Sequence, residues 1–547
     1  MARKQLVPTA AQRLASVPAP VGGINAIDNV SAMPPTDAVG LINWIPDALG
    51  LRCRKGFLEW AINFPANRPV GSVFGYLGAA TVFPGGTFAT DPTAMPGVLF
   101  AATDAAIYNI TSRTNAPAVA IALSTNENAG WFSTTQFSTS GGQFLLACSE
   151  TDGYFTFDGT TWVKRVAGVA AGQVSGVDPA ALVQVTAFKR RAWFVERNST
   201  RAWYLPVESI AGAAAAFDFG PLFKRGGHLS YLANWTIDAG EGIDDFLVGV
   251  SSNGDVAIYK GTDPSNATTF SLVGTWFVGQ TPVGRRAFVQ YGGDLILISA
   301  EGVYPISMIT RGGADFLSAS GKEYASKIRP LIGNDLRTTF TARGWQALVH
   351  PSERLMVINV PDSNVTRNKQ YALSTALNSW TVFSNIPVFS LGSTAGYVFG
   401  GTRDGKVLLL FNGFFDAVPF GASTGQGIAG SILPAYSYFG TPGQEKQFLM
   451  VRPTFLSVDV PNVLVSVSVN FSAANPTGSP TFSTGVTSNW NTSNWNSAVW
   501  GGASKVFANW VSVGAVGFAG SAALSTLCVG DTTLTSIDYM LASGGPL

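Results

Sequence analysis

Charge is what this chain of 547 residues has least of. Asp, Glu, Lys and Arg make up 12% of it, against ~25% in an average globular domain. The 34 basic residues nearly cancel the 33 acidic ones. A surface so poor in charge associates unless something covers it, so a large share of it is expected to lie against other subunits. The near-neutral balance, with an isoelectric point of about 7.6, excludes a protein that grips nucleic acid through an extensive phosphate-contacting surface. Histidine is nearly absent too: only His228 and His350 occur, neither with a second His at ligand spacing. The commonest metal ligand and general base is therefore missing in the numbers that zinc or triad chemistry needs. Cys53, Cys148 and Cys528 are an odd, scattered set, as expected for a protein made in a reducing cytoplasm and not for a disulfide scaffold. Mean hydropathy is +0.22, yet no apolar run reaches the ~18–20 residues of a membrane helix, so no membrane insertion is expected. The opening segment, Met1 to Pro20, carries Arg3, Lys4 and Arg13 without the apolar core of a secretory signal. No stretch sustains a helical period for three turns.

What the chain has instead is punctuation. Sixty-one Gly and 30 Pro residues break it into short apolar strands and tight turns. Phe246–Lys260 (FLVGVSSNGDVAIYK) predicts a hairpin turning at Asn253–Gly254, where type I′ geometry asks for two positive φ angles. Val398–Leu410 turns at Asp404–Gly405 and Phe144–Phe157 at Asp152–Gly153. Comparable units begin near residues 98, 144, 192, 246, 295, 355 and 398, close to the roughly 40–50-residue period of propeller blades. One blade cannot cover its own faces, so blades stack radially until the ring closes. The expectation is an all-β chain with a six- or seven-bladed β-propeller over 65–415, preceded by an arm at 1–64. The alternative is a series of sandwich strands with coincidental spacing.

Residues 416–445, rich in Gly, Ser, Ala and Pro, read as a linker. From Lys446 a new apolar alternation begins a separate β domain over 446–547. From Gly440 to Leu547 the only charges are Glu445, Lys446, Arg452, Asp459, Lys505, Asp531 and Asp538. So few charges make this domain the candidate subunit interface. Trp490, Trp495, Trp500 and Trp510 are its candidate anchors, since aromatic side chains are favoured at interface centres.

Other motifs fall short of chemistry. Gly400–Val407 (GGTRDGKV) nearly spells a phosphate loop, but Val407 stands where Ser or Thr must hold magnesium, and no helix follows. Asp158-Gly159-Thr160-Thr161-Trp162 lacks the spacer residue of a sialidase Asp box and occurs once. Asp244, Asp245 and Glu241 read as solvated carboxylates, because adjacent strand residues face opposite ways. Lys189, Arg190, Arg191, Arg197 and Arg201, interleaved with Trp193 and Trp203, form the densest basic cluster and read as a strand edge more than as a single-strand binder. No catalytic residue, cofactor or metal is expected.

The segment Gly22–Phe57 narrows the field. Its Gly22, Gly23, Asn25, Pro34, Asp37, Ala38, Asn43, Trp44, Arg52, Arg54, Gly56 and Phe57 resemble the opening signature of the tail nozzle and packaged-DNA-stabilisation proteins (tail tubular protein B-like) of short-tailed bacteriophages. The closing LTSIDYMLASGGPL is similar to that family's ending. The resemblance implies a virion structural protein: a homo-hexameric ring below the tail adaptor ring, with a β-propeller joined to a more central β domain. Such a ring seals packaged DNA, forms part of the ejection channel with transient contact to double-stranded DNA in its lumen, and carries tail fibre or spike proteins. It implies synthesis in the host bacterial cytoplasm and residence in the virion tail. On this reading Arg52, Arg54 and Lys55 pair with a neighbouring subunit. The alternative from another class is a glycan-binding or glycan-degrading propeller of a phage tail.

Overall fold

The structure, a computed structural model, describes residues 12–78, 97–238, 243–312, 325–361, 369–482 and 504–546. It is almost entirely β. Six sheets stand alone as propeller blades: Val70–Tyr76 through Ala118–Ala122, Phe132–Thr139 through Trp162–Lys164, Leu182–Phe188 through Ala215–Asp218, Leu229–Asp238 through Phe270–Phe277, the three-stranded Phe288–Tyr291 through Gly302–Pro305, and Ser390–Thr394 through Val407–Leu410. The remaining sector of the ring, the sixth in chain order, is Gln346–His350 through Ser379–Ser384. Its four strands continue into a nine-stranded sheet. The seven sequence units begin in the second strands of these seven sheets, Val98–Thr103, Gly142–Ser149, Arg191–Glu196, Ile243–Ser251, Asp294–Ser299, Leu355–Val360 and Tyr397–Gly401. These second strands are the most continuously apolar, being covered by a neighbouring blade on each face.

The core is correspondingly divided between neighbours. Leu99 and Tyr108 of the first blade pack with Phe399 and Leu409 of the last. Phe100 packs with Leu145 and Phe155 of the second, and Trp193 of the third with Leu247 and Phe270 of the fourth. At the centre, polar side chains of the innermost strands bond the backbone of the next strand. Gln184 Nε2 donates to the Leu232 carbonyl (2.7 Å) while Leu232 N–H donates back to Gln184 Oε1 (2.9 Å). Gln346 clamps Leu391 in the same way, at 2.7 and 3.0 Å. Gln136 donates to the Gly75 carbonyl, Gln290 to that of Asn234 and Ser390 to that of Val70. Twisted inner strands splay too far apart to form a ladder, and these side chains satisfy backbone groups that burial would otherwise leave unpaired.

The ring closes through the N-terminal segment. Phe57–Ala61 is the outer strand of the last blade, paired antiparallel with Val407–Leu410, so the propeller begins before residue 65. Gly56 leads into it, exchanging bonds with Gly413 (3.0 Å) and Asn412 (2.9 Å). A Cβ on Gly56 would stand 1.9 Å from the Phe415 carbonyl oxygen, whereas one on Gly413 meets open space. Gly56→Ala is therefore expected to cost more stability than Gly413→Ala, whose penalty is limited to about 1–2 kcal/mol of left-handed backbone strain at φ 66°; urea unfolding midpoints measure the difference.

Residues 416–445 are not a linker. They include Gln426–Pro434, a strand between Ala38–Ile42 and Gly520–Cys528 in the nine-stranded sheet. Isolated Gly and Ser residues there alternate with Ile428 and Ile432, whose side chains are fully buried. Opposite lies a seven-stranded sheet built on Gln444–Ser457 and Thr532–Pro546, with Gln12–Pro18 along one edge. Phe448, Val451, Phe455, Ile537 and Tyr539 from this sheet meet Val463, Val465, Ala522 and Leu524 of the other. The C-terminal domain is thus a β-sandwich.

Two local expectations change. Asn253 does not adopt positive φ; Gly254 alone does, at 93°, and Gly254 N–H bonds the Ser251 carbonyl. The turn is a three-residue loop with glycine in the left-handed position. A three-turn helix also exists, Arg329–Thr339. Pro330 stands in its first turn, and Ile332 and Leu336, four positions apart, are buried.

Candidate functional site

The Gly22–Phe57 segment lies where propeller and sandwich meet, and its polar residues are spent there. Asn25 Nδ2 donates to Asp37 Oδ2 (2.7 Å) and Asp28 Oδ2 (2.8 Å), and Lys327 Nζ reaches Asp37 Oδ1 at 2.8 Å. Gly22 is required because a Cβ would stand 2.0 Å from that Asp37 Oδ1. Asn43, at φ 63°, accepts from Arg54 Nε (2.9 Å) and Ser384 N (2.9 Å) through Oδ1, and donates to the Ala429 carbonyl (2.6 Å) and Ser384 Oγ (3.2 Å).

Arg54, expected at a subunit interface, is instead 0% exposed. Its guanidinium makes a bidentate pair with Asp416, both bonds 2.7 Å, and donates to the carbonyls of Lys55 (3.0 Å) and Ser384 (3.1 Å). With Asn43 on Nε, all five donors are used inside the chain, which leaves none for a neighbour. Arg52 and Lys55 also find partners within the chain, both on Glu353, at 2.9 and 2.7 Å. Sequence reasoning missed Asp416, Glu353 and Lys327, because each sits in a distant part of the chain from its partner and no local pattern links them.

Of the tryptophan anchors, Trp490, Trp495 and Trp500 lie outside the described residues. Trp510 is half-buried beneath Arg452, whose guanidinium carbon stands 4.8 Å from the ring centre. Arg452 in turn pairs with Asp538 at 2.8 Å. These three lie on the outward face of the seven-stranded sheet. Cross-strand registers place Leu14 beside Met540, Met540 beside Met450, Leu456 beside Val506 and Gln447 beside Val516 on that face. Leu14 is 66% exposed, Val506 70% and Val516 49%. The result is a sheet face with apolar side chains bared to solvent around one central ion pair.

The propeller's own channel is narrow. Its lining strands enclose about 540 Å³, room for roughly 18 waters at ~30 Å³ each. Arg286 crosses one end, donating to the carbonyls of Gly71 (3.1 Å) and Phe132 (2.6 Å) and to Ser72 Oγ. A DNA duplex does not fit through a single chain.

The remaining candidates resolve as structure. Lys189 pairs with Asp245 at 2.7 Å, Arg190 with Glu208 and Arg201 with Glu196 at 2.9 Å, while Trp193 is fully buried. The basic cluster is largely neutralised from within. Asp158 Oδ1 accepts from the N–H groups of Thr160 (2.8 Å) and Thr161 (2.7 Å), an Asx turn. Gly400–Val407 is a hairpin whose Lys406 pairs with Glu59 at 2.7 Å. The three cysteines are buried free thiols. Among the described residues no group of three or more His, Cys, Asp or Glu is placed to hold a metal, and no helix is long and apolar enough to cross a membrane.

His350 is buried and stacked on Phe411, ring centres 5.4 Å apart. Burial lowers its pKa, as it does that of half-buried His228. The folded chain thus favours neutral imidazole, and the unfolded chain takes up protons first as pH falls below about 6.5. Stability is intact above that pH and is lost as pH drops toward the depressed folded values. Urea midpoints are expected to decline from about pH 6.5 downward, and His350→Phe to flatten the decline.

No family model and no curated protein matches this sequence. Among solved structures the likeness is faint. The computationally designed Ika8 protein is similar at 10% identity and a TM-score of 0.32, over 66% of this chain and 98% of that one. Chaetomium thermophilum Raptor is similar at 9% and 0.35, over 66% of this chain and 28% of that one. The BBS1N chain of a complex with ARL6DN gives 13% and 0.27, over 47% and 74%.

Proposed function

We propose that the chain is a structural component of a bacteriophage tail, a nozzle-like ring that seals packaged DNA and forms part of the ejection channel. The observation that carries this reading is the place of Gly22–Phe57. The resemblance in those residues implies a propeller joined to a second β domain, and the same residues form that joint here, through Asn43, Arg54 and Asp37. Support for assembly comes from the outward sheet face. Leu14, Val506 and Val516 are bared beside half-buried Met540, Met450 and Leu456, on a domain with almost no charge to keep it soluble alone.

The mechanism is mechanical. A channel of about 540 Å³ inside one propeller passes no duplex, so the conduit is the space between copies arranged about an axis. Ring closure comes from burial of the apolar faces. A lumen wall of near-neutral composition lets DNA slide, because few phosphate contacts have to be broken as it moves. Electron microscopy of the largest purified species, classified for rotational symmetry with and without an adaptor ring, tests the reading. Six-fold rings with an axial lumen are expected; a chain that stays monomeric in both conditions overturns it.

A further inference from the structure

Most ion pairs of the described chain join one cation to its own carboxylate, as in Lys189–Asp245, Lys369–Asp335 and Arg201–Glu196. Two carboxylates each serve two cations: Glu353, with Arg52 and Lys55, and Glu150, with Arg285 and Arg343. At the end of the propeller where the inner strands begin, a cavity of about 450 Å³ is lined by Arg197, Arg285 and Arg343 around the single acid Glu150. Arg286 lies just inside.

Glu150 serves two of these cations. Its Oε1 stands 3.0 Å from Arg285 Nε and 3.5 Å from Arg343 Nη1. The Arg285 Nε contact falls outside hydrogen-bond geometry, so attraction there is by charge alone. The Arg285 side chain is 9% exposed and leans otherwise on the carbonyls of Leu229 and Ser230. Arg197 meets only carbonyls, those of Glu150 (3.2 Å), Thr151 (3.0 Å) and Ala180 (3.0 Å). Arg286 likewise rests on carbonyls and a hydroxyl, and burial pulls its pKa down to about 10. Two guanidinium groups, Arg285 and Arg343, thus share one carboxylate in a partly desolvated pocket, with Arg197 and Arg286 close by on neutral acceptors only. Uncompensated charge of that kind is costly to hold away from water, and a bound anion would relieve it.

The rest of the lining is mostly polar, with Asn126, Asn128, Asn198, Ser252 and Thr281, and includes His228 and the apolar Pro282 and Val283. We propose that this propeller mouth binds a compact oxyanion, a phosphate or carboxylate group, gripped by Arg343 and Arg197 with Arg285 as the fixed third donor. Guanidinium forks match the planar spacing of oxyanion oxygens. The volume equals about 15 waters at ~30 Å³ each, which admits a small molecule the size of a sugar acid and excludes a duplex. The site is separate from the outward sheet face and stands whether or not the chain forms rings.

The test is calorimetric titration of the full chain with inorganic phosphate and, separately, with glucuronate, at ionic strength held constant with chloride. Saturable one-to-one binding of at least one is expected, weakened about tenfold or more in Arg343→Gln and in Arg197→Gln, as loss of one charge-assisted contact predicts. Binding of phosphate alone assigns the phosphate class, and binding of glucuronate alone the carboxylate class. Neutral glucose should give no heat. Both arginines are surface-accessible, and matching circular dichroism confirms that the variants fold. No saturable heat with either anion, or equal binding by folded variants, overturns the proposal.

Discussion

Arg54→Ala is expected to lower the stability of the chain by about 3–5 kcal/mol, the cost of stranding a buried charge by removing its partner. The size follows from the geometry. Arg54 is fully buried, all five of its donors are used, and Asp416 would keep its carboxylate inside the protein with no cation in reach. Asn43 would lose the donor on its Oδ1 at the same time. Asp416→Ala should cost as much from the other side, and the double variant less than the sum, because each single change already breaks the same pair. Arg54→Lys is not a rescue: one ammonium cannot reproduce a bidentate fork that also bonds Asn43 and two carbonyls. Urea unfolding of the four proteins closes the cycle. Additive losses would show that the pair acts as two independent side chains and not as one joint.

Leu14→Glu combined with Val506→Glu is expected to abolish self-association while leaving the single chain folded. Both side chains are mostly exposed, so the monomer should change by no more than about 0.5 kcal/mol. Two buried carboxylates at an apolar contact, by contrast, cost far more than such an interface can supply. Mass photometry of wild type and variant on the adaptor ring reads the outcome, with the urea midpoint as the folding control. Rings of unchanged occupancy would remove this face from the assembly. Truncating the chain up to Trp60 is a poorer probe, because it also removes most of Phe57–Ala61, the strand that closes the propeller.

The blade repeat was legible because each second strand is covered on both faces by its neighbours. Apolar runs such as Leu295–Ile298 therefore recur at one period, whatever their individual letters. Closure was not legible: Phe57–Ala61 is a short strand whose partner, Val407–Leu410, lies at the opposite end of the propeller sequence. Gln426–Pro434 read as a linker because its Gly and Ser residues mask the buried Ile428 and Ile432. Arg285 and Arg286 are adjacent in sequence, but nothing local distinguishes a solvated pair from one in which Arg285 shares Glu150 with Arg343 and Arg286 is buried on backbone carbonyls.

Composition, the turn residues and the period of apolar segments determined by themselves that the chain is all-β, that its centre is a propeller and that its C-terminal domain is charge-poor. These are properties of neighbouring residues, and local backbone preference and strand alternation record them directly. Which arginines are buried, which carboxylate each one meets and which sheet face stays bare were decided only by tertiary structure. Those outcomes depend on contacts between residues far apart in the chain, where burial and geometry set whether a charge is paired, stranded or left to bind something else.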